Sequence, residues 1–142
     1  MTQENKALIQ HFVEEAFNQG NLEAAEEIYA STFISHDPTT PEEQGTPDDV
    51  KQFVNTYRTA FPDGHTTVED AVAEGDKVAY RWTFRGAHQG ELMGIPPTGK
   101  QVEITGITIN RLSGGKIEEQ WNNFDQLGML QQLGVTPEAP GG

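Results

Sequence analysis

Trp121 and Asp125 are the pair of residues whose types and spacing most directly suggest chemistry. In an extended segment, residues four apart point to the same side, so the indole and the carboxylate are expected on one face. A carboxylate beside apolar groups suits acid–base catalysis, because apolar surroundings disfavour its charged form. A structural interpretation also fits, since Asp125 precedes a helical segment and Asp is a favoured N-cap residue. A capping residue can also face a pocket, and both interpretations stay open.

Two histidines lie where a role in binding is conceivable. His36 precedes Asp37 in a Pro-rich segment, where an imidazole could orient a carbonyl group or carry a proton near neutral pH. A loop histidine bonded to the backbone is the structural alternative. His88 stands between Gly86 and Gly90, which permit the close approach of a ligand but equally mark a bulge in a bent sheet.

The composition argues against several other kinds of site. The chain of 142 residues has no cysteine, which excludes a thiolate nucleophile and any Cys-ligated metal. Its four histidines are scattered, and neither a Gly-x-Ser-x-Gly element nor a nucleotide-binding glycine loop occurs. We therefore expect no metal and no cofactor.

The charge and the apolar content restrict the partners. The 22 acidic and 9 basic residues give a net charge of −13, which opposes binding to nucleic acids and to anionic membranes. No run of about 18 apolar residues suggests a membrane helix, and the first residues lack the features of a secretory signal. We expect a cytoplasmic protein that binds neither nucleic acid nor membrane.

The periodicity of apolar residues predicts the helices and strands that position the candidate residues. Helical spacing predicts a helix over residues 3–19, a second amphipathic segment from Leu22 to Tyr29, and a third helix that begins at Thr46 and Pro47. A Pro-rich turn over 35–41 separates the last two. A period of two then predicts strands at 66–73, 77–85, 101–112 and 117–124, with a loop at 90–99 and a last helix at 125–133.

Helices followed by an antiparallel sheet indicate the α+β class. We expect a single domain over residues 1–142, with a frayed tail from about residue 135. In the second predicted strand, Tyr80, Trp82 and Phe84 share one face, which serves as core, as cavity wall, or as both. Arg81 lies opposite them in this alternation, and its side stays ambiguous.

The last strand and helix carry the most specific motif. Residues 115–125, Gly-Lys-Ile-Glu-Glu-Gln-Trp-Asn-Asn-Phe-Asp, followed by Gln-Leu-Gly-Met-Leu-Gln-Gln-Leu-Gly, strongly resemble the C-terminal signature of the SnoaL-like polyketide cyclases. This family, whose members are often called ester cyclases, belongs to the NTF2-like superfamily. Segments 33–38, 78–90 and 94–100 also match in the family's order, so the resemblance covers roughly residues 5–135.

The resemblance implies a cone-shaped α+β barrel, in which a curved antiparallel sheet wraps over N-terminal helices and encloses an apolar pocket. It implies a homodimer or homotetramer formed through the outer face of the sheet. It also implies cofactor-free, intramolecular aldol closure of a small, hydrophobic, carbonyl-containing substrate. By motif, Asp125 would be the catalytic acid and base, while His36, His88 and Trp121 would bind the substrate in the pocket.

Other functions fit the same architecture. An isomerase would need a second proton donor facing Asp125, and an epoxide hydrolase would need an Arg flanked by two Asp. A non-catalytic binding or interaction domain would have a pocket filled by its own side chains, with Asp125 occupied in capping. An open cavity with the Asp125 carboxylate at its wall would separate the enzymes from the binding domain.

Overall fold

The computed structural model describes residues 2–37 and 44–134. In chain order, the elements are α1 (Thr2–Phe12) with a π-helical continuation (Val13–Asn18), α2 (Glu23–Ile28), β1 (Tyr29–His36), β2 (Gln44–Gly45), α3 (Pro47–Ala60), β3 (His65–Glu74), β4 (Lys77–Ala87), β5 (Gln101–Ser113), β6 (Lys116–Phe124) and α4 (Gln126–Leu133). The predicted frayed tail lies outside the described residues.

The helices begin and end where the local chemistry predicts. At the start of α3, Thr46 Oγ1 accepts a hydrogen bond from the Asp49 backbone N–H, and Asp49 Oδ2 accepts one from the Thr46 backbone N–H. This capping box satisfies two backbone donors that the first helical turn leaves unpaired. Pro47 occupies the first helical position, where its missing N–H removes no hydrogen bond.

One curved, unclosed sheet of six strands packs against the helices, as the α+β prediction requires. The strand order is β2-β1-β6-β5-β4-β3. The pairs β3–β4, β4–β5 and β5–β6 are antiparallel, and the four strands predicted after residue 64 are confirmed.

The first strand corrects the sequence-based prediction. The sequence predicts Tyr29 at the end of a helical segment and a turn from Ser35, but residues 29–36 form β1, which pairs in parallel with β6. Ser35 lies opposite Gln120 and His36 opposite Trp121. The partner strand is more than 80 residues away in the chain, so the local pattern carries no signal for this pairing.

The apolar residues form two clusters on the inner side of the sheet. One cluster joins α1, its π-helical continuation and α2 to β1, β4 and the β5–β6 hairpin. The other lies between the end of α3, the loop after β4 and α4, and contains Phe61, Leu92 and Met129. Trp82 contacts both clusters, and the space beside it is not filled. Over the described ranges, none of the helices has the length and apolar character needed to cross a bilayer.

Candidate active site

A cavity of about 420 Å³ lies between the helices and the inner face of the sheet. The sheet contributes six aromatic side chains to its wall: Tyr29, Phe33, Tyr80, Trp82, Phe84 and Phe124. The π-helical segment, α1 and α3 contribute four more: Phe12, Phe17, Phe53 and Tyr57. The predicted stripe of Tyr80, Trp82 and Phe84 is therefore cavity wall as well as core.

A small hydrogen-bonded network forms the polar part of the wall. Trp82 Nε1 donates to Thr108 Oγ1 at 3.0 Å, and Thr108 Oγ1 donates to Asn122 Oδ1 at 2.7 Å. Gly106, which pairs with Trp82 across β4 and β5, makes room for the indole, since a Cβ there would overlap its six-membered ring. The network connects three neighbouring strands at the cavity surface.

The tyrosines of the cavity remain neutral donors. Burial raises the pKa of Tyr80 to about 12, partly offset by hydrogen bonding with Thr108 and Asn110. Burial also raises the pKa of Tyr57 to about 12, and the negative charge of Asp37 adds to this shift. The pKa of Tyr29 is raised by burial as well, and its hydroxyl donates to Gln120 Oε1 at 3.3 Å.

Two carboxylates and no cationic side chain line the described part of the cavity. Asp49 is engaged in the capping box of α3, where its Oδ2 accepts from the Thr46 backbone N–H at 2.9 Å. Asp37 follows β1 directly and is half-buried at the cavity wall. Asp37 is the second carboxylate of this wall, and it is not part of the α3 cap.

The structure places Asp125 outside this cavity. Asn122 and Phe124 face inward on β6, so the alternation turns Trp121, Asn123 and Asp125 to the outer side. Asp125 is exposed, and its Oδ1 accepts a hydrogen bond from the Gly128 backbone N–H at 2.9 Å. Of the two interpretations of Asp125, the N-cap of α4 is confirmed and the position at the wall of the inner cavity is not, while a role in turnover stays a prediction.

A shallower depression on the outer side of the sheet holds Asp125, Trp121 and Arg81. The guanidinium of Arg81 pairs with Asp70, with Nη2 to Oδ2 at 2.6 Å. This contact settles the ambiguous side of Arg81, which faces outward. An outer depression and an inner cavity therefore share one sheet, and Phe124 is the one described residue that lines both.

His36 also lies on the outer side, where its ring stacks on Trp121 at 5.2 Å between centroids. Its Nε2 is 2.8 Å from Glu119 Oε2, and Arg111 Nε donates to Glu119 Oε1 at 3.1 Å. These hydrogen bonds, first that with His36 and then that with Arg111, lower the pKa of Glu119. The expected pocket position of His36 and Trp121 is corrected, because the parallel register with β6 aligns them on the outer face.

His88 is fully buried but does not line the cavity. Its Nδ1 accepts from the Thr98 backbone N–H at 3.2 Å, and its ring packs on Phe61 at 5.5 Å between centroids. These contacts fix the loop after β4 against the end of α3. Among the described residues, Nε2 of this histidine has no hydrogen-bond partner.

The structure brings forward polar residues that sequence reasoning passed over: Asp37, Thr108, Gln120 and Asn122. The alternation along β6 already separates Gln120 and Asn122 from Trp121 and Asp125. The alternation separates the two faces of β6, but it does not specify which face borders a cavity. The sequence carries no such signal for Asp37, because no local pattern marks β1 as a strand.

The fold and the cavity define a class of protein in which a curved sheet packs over helices and encloses a pocket. The described lining of this pocket is aromatic, with two carboxylates and no cationic side chain. The family model for SnoaL-like polyketide cyclases matches residues 7–133. The chain belongs to the SnoaL-like polyketide cyclase family.

Two curated relatives are named methyl ester cyclases. The chain is 29% identical to nogalonic acid methyl ester cyclase of Streptomyces nogalater, over 84% of this chain and 90% of the relative. It is 28% identical to aklanonic acid methyl ester cyclase DnrD of Streptomyces peucetius, over 87% of this chain and 89% of the relative.

Solved structures agree with this assignment. IdmH of Streptomyces antibioticus, a candidate polyketide cyclase, has 36% identity and a TM-score of 0.79, covering 92% of this chain and 99% of IdmH. A candidate polyketide cyclase of Acidithiobacillus ferrooxidans has 31% identity and a TM-score of 0.82, covering 94% of this chain and 96% of its own.

Proposed function

We propose that the protein is a cyclase that closes a ring of an uncharged, polyketide-like ester by a cofactor-free intramolecular aldol reaction inside the inner cavity. The observation that carries this proposal is the aromatic cavity of about 420 Å³ with the Asp37 carboxylate at its wall. The methyl ester cyclases among its relatives support the same chemistry.

The cavity lining favours a flat and uncharged ligand. Ten aromatic side chains present ring faces and edges, which suit a planar substrate with conjugated rings. A free carboxylate on the ligand would meet Asp37 and Asp49, and no Lys, Arg or His of the described lining would offset this repulsion. Esterification removes that charge, and an ester is therefore preferred over the acid.

The reaction needs one base that later acts as an acid. We infer that a carboxylate oxygen of Asp37 takes a proton from the carbon between two carbonyl groups, which leaves an enolate. The enolate carbon attacks a second carbonyl carbon of the same molecule, forming one carbon–carbon bond and an alkoxide. The alkoxide then takes the proton back from Asp37, so the product is an isomer of the substrate and no oxidant or reductant is needed.

The cavity walls contribute by folding the substrate. Two reacting carbons of one flexible molecule must be held in contact, and such preorganisation lowers a barrier by up to about 7–11 kcal/mol. A carbon flanked by two carbonyl groups is already acidic. A carboxylate is therefore a sufficient base once the substrate is held in the reactive conformation.

The alternatives are less well supported by the same residues. An epoxide hydrolase would need an Arg flanked by two Asp, and none of the described lining residues is Arg. A non-catalytic domain was expected to have a filled interior and an Asp125 engaged in capping. Asp125 is such a cap, but the interior is open.

Turnover of aklanonic acid methyl ester, a compound taken from the name of a relative, tests the proposal. We expect liquid chromatography with mass spectrometry to detect an isomeric product of unchanged mass. Asp37→Asn should lower kcat by at least about 100-fold, because Asn has no carboxylate to accept the proton. Asp49→Asn, which keeps a capping side chain, is the matched control on the same wall.

An Asp37→Asn variant with full activity would contradict the assigned base. If the wild-type protein converted neither this ester nor nogalonic acid methyl ester, the cyclase proposal itself would be overturned. A free acid turned over as rapidly as its ester would contradict the argument from charge.

A further inference from the structure

The network at the cavity wall dictates how the Asn122 side chain is oriented. The indole N–H of Trp82 can only donate, so the Thr108 oxygen accepts there, and the Thr108 hydroxyl donates its single proton to Asn122 Oδ1. Tyr80, which also bonds to Thr108, stays protonated and can itself act as a donor. The carbonyl end of the Asn122 amide is thereby engaged at 2.7 Å. Its NH₂ end has no partner among the described residues and is the group that Asn122 offers to the cavity.

Gln120 is oriented by the same logic. Burial raises the pKa of Tyr29, so its phenol stays protonated and donates to Gln120 Oε1 at 3.3 Å. The NH₂ end of the Gln120 amide is therefore the end left for a ligand. Gln120 and Asn122 are two residues apart on β6 and both line the cavity.

We propose that Gln120 and Asn122 form a paired amide-donor site that binds the two oxygens of a β-dicarbonyl enolate, and that Thr108 is the positioning residue that holds Asn122 in the donating orientation. Residues i and i+2 of a strand are about 7 Å apart at Cα, so their side chains reach neighbouring oxygens of one planar group. Hydrogen bonds to a charged acceptor are stronger than those to a neutral carbonyl, so the pair stabilises the enolate more than the substrate.

This inference rests on the proposed function for the identity of the ligand, but the donor site can be tested without turnover. The probe is 2-hydroxyanthraquinone, a flat phenol whose absorption changes when it ionises. In the wild-type protein the two donors should lower the apparent pKa of the bound dye relative to variants that lack one of them. We expect Asn122→Leu and Gln120→Leu each to raise the apparent pKa of the bound dye by about one unit, since one charge-assisted hydrogen bond is lost.

Matched variants separate positioning from folding. Thr108→Val should raise the apparent pKa of the bound dye as Asn122→Leu does, while Thr108→Ser, which retains the hydroxyl, should restore the wild-type value. Asn123→Leu is the control on the same strand, because Asn123 is exposed and faces the outer depression. Asn122→Ser serves as the smaller replacement if Asn122→Leu does not fold by circular dichroism.

Two results would overturn the donor site. One is a dye that does not bind the wild-type protein or that titrates alike in the wild type, Asn122→Ser and Gln120→Leu. The other is a Thr108→Ser variant that behaves as Thr108→Val. If the dye shifts as expected but the esters are not turned over, the donor site stands and the cyclase proposal is overturned. If the esters are turned over and Asn122→Ser and Gln120→Leu leave turnover unaffected, the cyclase proposal stands and the donor site is overturned.

Discussion

His36 and Asp37 are neighbours in the chain, yet they contribute to different faces of the sheet. His36 stacks on Trp121 outside, whereas Asp37 lines the cavity inside. The same one-residue difference separates Asn122, which lines the cavity, from Asn123, which lines the outer depression, on β6. Because successive side chains of a strand point to opposite faces of the sheet, adjacent residues have entirely different environments.

Asp125 is the residue for which this difference matters most. Its carboxylate caps α4, so Asp125→Ala should lower the free energy of unfolding by about 1 kcal/mol, while Asp125→Asn should nearly preserve it. Because Asp125 lies outside the cavity, we expect Asp125→Asn to retain ester turnover. Urea unfolding and a kcat measurement check both points. If Asp125→Asn is inactive but stable, the acid–base role implied by the family resemblance is correct and Asp37 is not the base.

At the scale of elements, the parallel pairing of β1 with β6 builds both faces. On the inner side it places Ser35 opposite Gln120, and Asp37 follows β1 at the same cavity wall. On the outer side it brings His36 next to Glu119 and Trp121. The Glu119 carboxylate connects three strands, since it accepts hydrogen bonds from His36 on β1 and Arg111 on β5.

This connection predicts a pH dependence of stability. Because the pKa of Glu119 is lower in the folded than in the unfolded state, its contribution is fully present above pH 4.5, the ordinary glutamate value. The contribution is lost as the pH falls through the lowered folded value. Urea midpoints between pH 3 and pH 6 should therefore decline more steeply for the wild type than for Glu119→Gln.

Glu74→Gln, at the exposed end of β3, is the control for this series. It removes one carboxylate from the same sheet and should retain the wild-type slope. Parallel curves for the wild type and Glu119→Gln would show that the contact with His36 and Arg111 does not contribute to stability.

At the scale of the whole molecule, the two sides of the sheet differ in what covers them. The helices cover the inner side, whereas the outer side exposes Ile34 and Ile107, which are 44% and 53% accessible, beside the depression around Trp121. Exposed apolar patches of this kind are typical of protein interfaces. The homodimer or homotetramer implied by the family resemblance would use this surface.

Ile107→Lys tests the proposed assembly. We expect sedimentation velocity to show an oligomer for the wild type and a shift toward the monomer for the variant, because a lysine in an apolar contact must lose its hydration. Leu127→Lys is the control, since Leu127 is equally exposed but lies on α4. A wild-type protein that is monomeric, or an Ile107→Lys variant with unchanged assembly, would contradict the outer-face interface.

Local signals in the sequence determined the α+β class, the start of α3 at Thr46 and Pro47, and the strands from β3 to β6. Capping, proline and a period of two act over a few residues, and each is visible without a partner. The motif at 115–134 also determined the family, which the family model confirms. Even the division of β6 into two faces was available from its alternation.

Only the tertiary structure decided which of those faces borders the cavity and that residues 29–36 form a strand. Both outcomes depend on the pairing of β1 with β6 and on the helices that pack on one side of the sheet. The strand pairing joins parts of the chain that are more than 80 residues apart, and no local pattern specifies it. The long-range packing therefore placed Asp37, Gln120 and Asn122 around the cavity and left His36, Trp121 and Asp125 outside it.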